Sequence, residues 1–527
     1  MGHRSFLRRA AVTGCAAVLA LAVAPAAASA AAEKYLVLYT HESTAASAAA
    51  DVQRAGGQLI ANYSQIGVLV ASSSDASFAA RMRAATGVDE VAGTSAYGVR
   101  PFDDAAADAS GPPPGGLPNA PAADADTFSP LQWDMRQIHA PEAHAITGGS
   151  PAVVVGDIDT GLDKDHPDLV QNIDFSRSVS CQSGAPDPNP VAWDDRQGHG
   201  THTAGTIAAA SNGFGIVGTA PNVKVAGIKS STDEGFFFPE MVVCSFMWAG
   251  SQHLDVTNNS YFADPFLYNC RNDPVQHAIW KAEQRAIKYA QSQGVTVVAS
   301  AGNDSDDLSH PGLDVTSPDF PPGSEQEREV GNECVVVPVE VSGVVGVSAT
   351  GHNEQVDDDP GPDYLKSFYS SYGVSAVDLT APGGDSVFGM NAEAPNGRVL
   401  STWPAELPCT RSEEEPPDAP TPTSVYCYLQ GTSMAAPHVS GVAALIISRF
   451  GDASSPQNGK MRPGRVEAYL QQTADPQPCP EALPPGYEAF TQTSGEPQEC
   501  QGGLGHNSWY GNGQVNALRA ITHVAGN

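Results

Sequence analysis

The sequence predicts an α/β fold built on a mainly parallel sheet and preceded by a smaller α+β unit. Beyond residue 128, continuous apolar runs alternate with helix-length segments such as residues 274–292. The runs are Ala152-Val153-Val154-Val155-Gly156, Lys224-Val225-Ala226-Gly227-Ile228, Val295-Thr296-Val297-Val298-Ala299 and Val344-Val345-Gly346-Val347. Strands buried on both faces read as unbroken apolar runs, and their alternation with helices marks parallel β–α–β units. Ahead of residue 102 the pattern is shorter. A strand at Tyr35-Leu36-Val37-Leu38-Tyr39, an alanine-rich helix over 43–54, one or two strands over 58–72, a helix over 77–85 and a last strand near 93–99 make the small α+β unit.

The first thirty residues belong to neither unit. Arg4, Arg8 and Arg9 precede an apolar run over 10–24 and then Ala28-Ser29-Ala30. Charge, apolar centre and small-residue site in that order read as a secretory signal, residues 1–30, cleaved near Ala30. The paired Arg8-Arg9 hints at twin-arginine export. Between the two units, residues 102–127 carry Ser110-Gly111-Pro112-Pro113-Pro114-Gly115-Gly116 among aspartates and alanines. Such a composition buries too little apolar surface to stay ordered, so it reads as a linker open to proteolytic cleavage.

The chain has 527 residues, 41% of them hydrophobic, which suffices for a substantial core. Its net charge of −32, from 27 basic and 59 acidic side chains, argues against nucleic acid or an anionic membrane surface as partner. After the signal, no stretch is apolar over the roughly 18 residues a membrane helix needs, so a soluble mature protein is expected.

Nine cysteines are present, and loss of Cys15 with the signal leaves eight. An even set in an exported protein points to disulfides, although many connectivities are open. Short closures favour Cys244–Cys270, Cys409–Cys427 and Cys479–Cys500, which leaves Cys181–Cys334. No Cys-x-x-Cys pair suggests zinc.

The chemistry centres on Gly431-Thr432-Ser433-Met434-Ala435-Ala436-Pro437. Val439, Val442, Ala443, Leu445 and Ile446 continue at helical spacing, which puts Ser433 at the first turn of a buried helix, with Pro437 still within that turn. Unpaired N–H donors and the positive helix end suit an oxyanion forming beside an attacked carbonyl. A plain N-cap serine is the alternative, and partners elsewhere decide between them.

Those partners fall where an α/β sheet places function, at the carboxyl ends of its strands. Asp159 ends the run that starts at Ala152, and Asn303 follows the run that ends at Ala299. His199 lies between two glycines at the start of a small-residue helix, Gly198-His199-Gly200-Thr201-His202. Asp159 can orient the imidazole of His199, His199 can take the proton of Ser433, and the Asn303 amide can donate to the oxyanion. His202 reads as a buried, hydrogen-bonded histidine, and the absence of a following glutamate excludes the His-Glu-x-x-His zinc pattern.

Four stretches in this order, Asp159-Thr160-Gly161, His199-Gly200-Thr201-His202, Ala301-Gly302-Asn303 and Gly431-Thr432-Ser433-Met434-Ala435-Ala436-Pro437, resemble the subtilisin-like serine proteases. The resemblance runs from about residue 128 to the end, where Gly511-Asn512-Gly513-Gln514-Val515-Asn516-Ala517 looks like the closing segment of that family. It implies a three-layer α/β/α fold, a triad of Asp159, His199 and Ser433, and Asn303 as oxyanion donor. Residues 31–101 resemble the family's ferredoxin-like inhibitory pro-segment, removed by cleavage within the linker. The expected organisation is therefore signal (1–30), pro-segment (31–101), linker (102–127) and peptidase domain (128–527).

The resemblance also implies structural calcium. Asp168 matches a ligand carboxylate, the Asn212 side chain and the carbonyls of Ala210, Phe214 and Ile216 could join it, and Gln132 could complete the set. A glycine-rich turn held by hydrogen bonds is the alternative. Ser260 and Gly235 fall in segments that line the family's substrate cleft. Phe262 stands where the family usually has glycine, and its ring should reshape the primary specificity pocket. Asp233 and Glu234 suggest a preference for basic residues several positions before the cut. Proline-rich insertions near 385–428 and 475–504 read as surface loops stapled by cysteines. The implied function is that of a secreted, calcium-stabilised serine endopeptidase. It would be a monomer, made as a zymogen, acting on proteins or peptides and held by its own pro-segment. A tripeptidyl-peptidase and a catalytically silent binding protein on the same fold remain as alternatives.

Overall fold

The structure, a computed structural model, describes residues 32–94, 126–262, 266–319, 323–354, 364–392, 394–416, 424–452, 454 and 459–523. The expected signal, nearly all of the expected linker and residues 95–99 of the expected last small-unit strand lie outside the described residues.

The small unit has β1 (Glu33–Tyr39), α1 (Ala48–Arg54), β2 (Gln58–Tyr63), β3 (Val68–Ser73), α2 (Phe78–Arg83) and β4 (Val88–Gly93). Its antiparallel sheet has the order β2-β3-β1-β4, with Val37 opposite both Leu69 and Val91. The last strand begins five residues before the expected stretch, just after the left-handed turn at Gly87. Alternation along β1 and β3 sends side chains to two different cores. Tyr35, Val37 and Leu69 pack with Val52, Phe78 and Met82 of its own helices. Leu36, Leu38, Val68 and Val70 point the other way, into a core shared with the large unit.

The large unit begins with α3 (Trp133–Gln137), α4 (Ala140–His144), β5 (Val154–Asp159), β6 (Val179–Ser180), α5 (His199–Ala208), β7 (Lys224–Lys229), α6 (Pro239–Ser251) and β8 (Val256–Asn259). Next come β9 (Asn269–Cys270), α7 (Pro274–Ser292), β10 (Thr296–Ser300), β11 (Leu313–Asp314), β12 (Arg328–Glu329), β13 (Cys334–Val335), β14 (Val344–Glu354), β15 (Tyr364–Lys366) and β16 (Leu379–Pro382). The chain ends with β17 (Val399–Trp403), β18 (Ser412–Glu415), β19 (Ser424–Leu429), α8 (Thr432–Phe450), α9 (Pro463–Thr473) and α10 (Ala517–Thr522). Its central sheet has the order β15-β14-β10-β8-β5-β7-β6, with β16 also on β14; every pairing is parallel except β14 with β15.

Both faces are covered, as the unbroken apolar runs require. Val154, Ile158, Val297 and Ala299 face α6 and α7, while Val155 and Val298, one residue out of phase, face α5, α8, α9 and α10. The result is the expected three-layer α/β/α arrangement. The small unit sits on the α6–α7 layer. Lys281 and His277 of α7 pair with Asp89 and Glu90, and Arg285 donates to the carbonyls of Tyr39 and Ile66.

Two of the expected disulfides occur, Cys409–Cys427 and Cys479–Cys500. The other two do not: the bonds are Cys181–Cys244 and Cys270–Cys334 instead of Cys244–Cys270 and Cys181–Cys334. Closure entropy rises only slowly with loop length, so the shorter loop had little advantage. Strand pairing decides the matter, because Cys270 lies directly opposite Cys334 in the β9–β13 ladder.

The insertion near 385–428 is more than a surface loop. β17, β19 and β18 form a sheet in that order, and Val399, Leu400, Tyr426 and Tyr428 are buried. This sheet backs α5: Thr402 Oγ1 donates to the Thr201 carbonyl and Ser401 Oγ to that of His202, both at 2.7 Å. The absent side chain of Gly205 permits that approach, since a Cβ there would lie 2.2 Å from Thr402 Oγ1. The insertion near 475–504 also packs inward, where Gln498 accepts from the buried Lys366 ammonium at 2.6 Å.

Candidate active site

The candidate residues Asp159, His199 and Ser433 lie at the end of β5, the start of α5 and the start of α8. Asp159, the last residue of β5, is fully buried, and its Oδ1 lies 2.8 Å from His199 Nδ1. The Thr160 N–H donates to the same oxygen at 2.7 Å. Gly200 permits the contact, because a Cβ there would meet the Gly161 carbonyl at 2.2 Å. Burial, the largest influence, disfavours the charged imidazole of His199, but the carboxylates around it, Asp159 foremost and then Asp157 and Asp195, together raise the ring's pKa above its ordinary value. The other ring nitrogen, Nε2, is buried and has no hydrogen-bond partner among the described residues.

Beneath Asp159 lies Asp157, which accepts from Thr203 Oγ1 at 2.7 Å and Asn258 Nδ2 at 2.9 Å. Burial, and then the neighbouring Asp159, push the Asp157 carboxyl well above the usual range. His202 is the structural histidine that the sequence suggested. It contacts the Cys427 carbonyl at 3.0 Å, and burial lowers its pKa to about 3.

Ser433 is the second residue of α8. Its hydroxyl donates to the Ser260 carbonyl at 3.2 Å, and the Ser260 hydroxyl donates back to the Ser433 carbonyl at 2.9 Å. Asn303 is aimed by a residue that the sequence reading did not single out. Its Oδ1 accepts from the Thr432 N–H at 2.9 Å and the Thr432 hydroxyl at 2.8 Å, which turns Nδ2 away from Thr432. A Cβ on Gly431, at φ +155°, would stand 3.4 Å from that Nδ2. The adjacency of Thr432 to Ser433 was the available signal. Pro437 corrects the sequence reading, since it is the sixth residue of α8 and lies beyond the first turn.

The substrate-side residues divide. Ser260 is at the site. Phe262 is buried in the core shared with α6, α7 and the small unit. Gly235 lies in a turn closed by its own N–H on the Thr232 carbonyl, and Asp233 is ion-paired with Lys229.

The expected calcium ligands do come together, but they do not fit an oxygen cage. Asp168 Oδ1 accepts from Asn212 Nδ2 at 2.8 Å, while its Oδ2 accepts from the Ile216 N–H at 3.0 Å and the Tyr426 hydroxyl at 3.1 Å. Asn212 Oδ1 takes the Phe214 N–H, and both ends of the Gln132 amide are spent on Val217. Burial raises the Asp168 carboxyl to about 8. The site is closed by hydrogen bonds around Tyr426, a residue of the insertion, and no step below involves a metal.

Residues 150–513 match the family model described as the subtilase family, peptidase S8. Fervidolysin of Fervidobacterium pennivorans is 28% identical over 330 residues, which are 61% of this chain and 37% of that protein. The chain thus spans little more than a third of that relative. Thermitase of Thermoactinomyces vulgaris is 28% identical over 353 residues, 66% of this chain and 90% of thermitase. Among solved structures, the epidermin leader peptide processing serine protease of Staphylococcus aureus covers 93% of this chain and 98% of its own, with TM-score 0.64 and 21% identity. At that identity the likeness speaks for the fold alone. With the family match spanning most of its length, this chain belongs to the subtilase family of subtilisin-like serine proteases.

Proposed function

We propose that the protein is a secreted serine endopeptidase that cuts peptide bonds through an acyl-enzyme and is made as a zymogen. The observation that carries the reading is the 2.8 Å contact of Asp159 with His199 Nδ1, which leaves Nε2 without a hydrogen-bond partner among the described residues. With Nδ1 held as donor, Nε2 is the basic nitrogen.

In the proposed reaction, the Ser433 side chain turns from the Ser260 carbonyl toward Nε2. Its oxygen bonds to the substrate carbonyl carbon as the hydroxyl proton passes to His199. The negative charge collects on the former carbonyl oxygen, where Asn303 Nδ2 and the main-chain N–H of Ser433 are the proposed donors. The imidazolium, stabilised by Asp159, then gives its proton to the departing amine as the carbon–nitrogen bond breaks. Water, deprotonated by the same nitrogen, attacks the ester and frees Ser433.

The small unit is proposed to be the inhibitory pro-segment, because it is a separately cored domain resting on α6 and α7 and joined through residues 95–125. Export rests on the N-terminal signal pattern and agrees with four disulfides. Labelling with a fluorophosphonate tests the proposal: the processed protein should label and Ser433→Ala should not. Failure of the processed wild type to label would favour a silent binding protein. Cleavage of peptides with blocked N-termini distinguishes an endopeptidase from a tripeptidyl-peptidase.

A further inference from the structure

We propose that Glu240 and Glu283 form an acidic subsite for a lysine or arginine side chain of the bound substrate, covered by Lys34 until the small unit leaves. This rests on the peptidase reading above. Glu240 is the second residue of α6, and Glu283 lies within α7. They are 1% and 0% exposed. Neither oxygen of Glu283, and only one of Glu240, has a hydrogen-bond partner among the described residues. Burying a carboxyl without partners costs stability, and such groups call for a role beyond packing. Burial and then Glu240 raise the Glu283 carboxyl well above its usual range.

The small unit already supplies one cation. Lys34 Nζ of β1 lies 3.0 Å from Glu240 Oε1 and donates to the Gln182 carbonyl at 3.3 Å. Val70 of β3 and the stem of Glu240 both approach Gly184, where an added Cβ would sit 3.0 Å from Val70 and 3.1 Å from Glu240 Cγ. Departure of the small unit therefore removes the ammonium from Glu240.

The pair borders the cleft. Ser260, bonded in both directions to Ser433, is followed by Tyr261, whose ring stacks on Phe237 at 4.5 Å. Phe237 leads into the first turn of α6, which carries Glu240, and after burial Glu283 is the foremost charge acting on the Tyr261 hydroxyl. A chain laid past Ser433 along this wall can drop a side chain between Phe237–Tyr261 and the two carboxyls. A guanidinium or ammonium there takes the oxygens left by Lys34. Two carboxylates in apolar surroundings supply few of the six or so oxygens that calcium takes, which favours a basic side chain over a metal.

The test uses the full chain after processing, with a fluorogenic peptide library and one alanine-only reference peptide. Lysine or arginine should be enriched at one position. Glu283→Gln and Glu240→Gln should each lower kcat/KM for the basic peptide roughly tenfold, as loss of a charge-assisted hydrogen bond does, and leave the reference peptide within about twofold. Retained cleavage of the reference peptide shows that the variants fold. No enrichment, or enrichment that survives both substitutions, overturns the proposal. So does a calcium-induced rise in melting temperature that is lost in Glu240→Gln while no basic preference is seen. Failure to cut any peptide would instead sink the peptidase reading itself.

Discussion

The hydroxyl of Ser260 donates to the main-chain carbonyl of Ser433 at 2.9 Å, and that carbonyl is the one Pro437 leaves without a helical donor. Pro437 is the fourth residue after Ser433, so the N–H of an ordinary residue at 437 would have bonded there. The proline is tolerated past the first turn because a side chain from the segment after β8 supplies the missing bond. It ties the nucleophile's own backbone to the cleft wall.

Ser260→Ala should therefore leave a buried carbonyl unpaired and cost about 1–3 kcal/mol, read as a lower denaturation midpoint. Adding Pro437→Ala restores an N–H at the right position and should recover part of that loss. Strictly additive losses would show that the bond carries nothing.

The pH dependence follows from His199. The base must be neutral to accept the Ser433 proton, and the carboxylates around it, Asp159 foremost, raise its pKa above the ordinary value despite burial. Activity should therefore rise with pH through an acid limb that lies above about 6.5. Asp159→Asn removes the charge that holds the imidazolium. It should move the limb to lower pH and cut kcat by roughly 10³–10⁴. An unmoved limb would assign the titration to another group.

Asn303→Ala should lower kcat by roughly 10²–10³ with little change in KM, because the lost hydrogen bond forms only as charge develops on the substrate oxygen. Thr432→Val removes the hydroxyl that donates to Asn303 Oδ1 but keeps the main-chain donor at 2.9 Å. It should fall between wild type and Asn303→Ala. Steady-state kinetics on one peptide separates the three.

The layering and the candidate catalytic residues were legible because they depend on short-range patterns. Apolar runs give strands buried on both faces, glycines mark close approaches at Gly200 and Gly431, and each candidate residue sits in its own local motif. The disulfide partners of Cys181 and Cys270 were not legible, since the β9–β13 ladder joins segments 64 residues apart. Nor was the role of Tyr426. Nothing local to β19 announces that its hydroxyl reaches Asp168, 258 residues earlier.

That long-range contact governs the last prediction. With Asp168 satisfied by Tyr426, Asn212 and the Ile216 N–H, chelation by EGTA should leave the melting temperature unchanged. The stabilising state of Asp168 is the protonated one. Its folded pKa of about 8 exceeds the unfolded value of about 3.9, so the folded protein binds the extra proton between those limits. Its contribution is complete below about pH 4, declines as pH rises and is lost above about 8. Asp168→Asn, which keeps the shape but does not titrate, should flatten that part of the stability profile. Tyr426→Phe should lower stability by about 1–3 kcal/mol at pH 6, where the hydroxyl has a buried partner to lose. A melting temperature that falls on chelation in the wild type and not in Asp168→Asn would return the site to calcium.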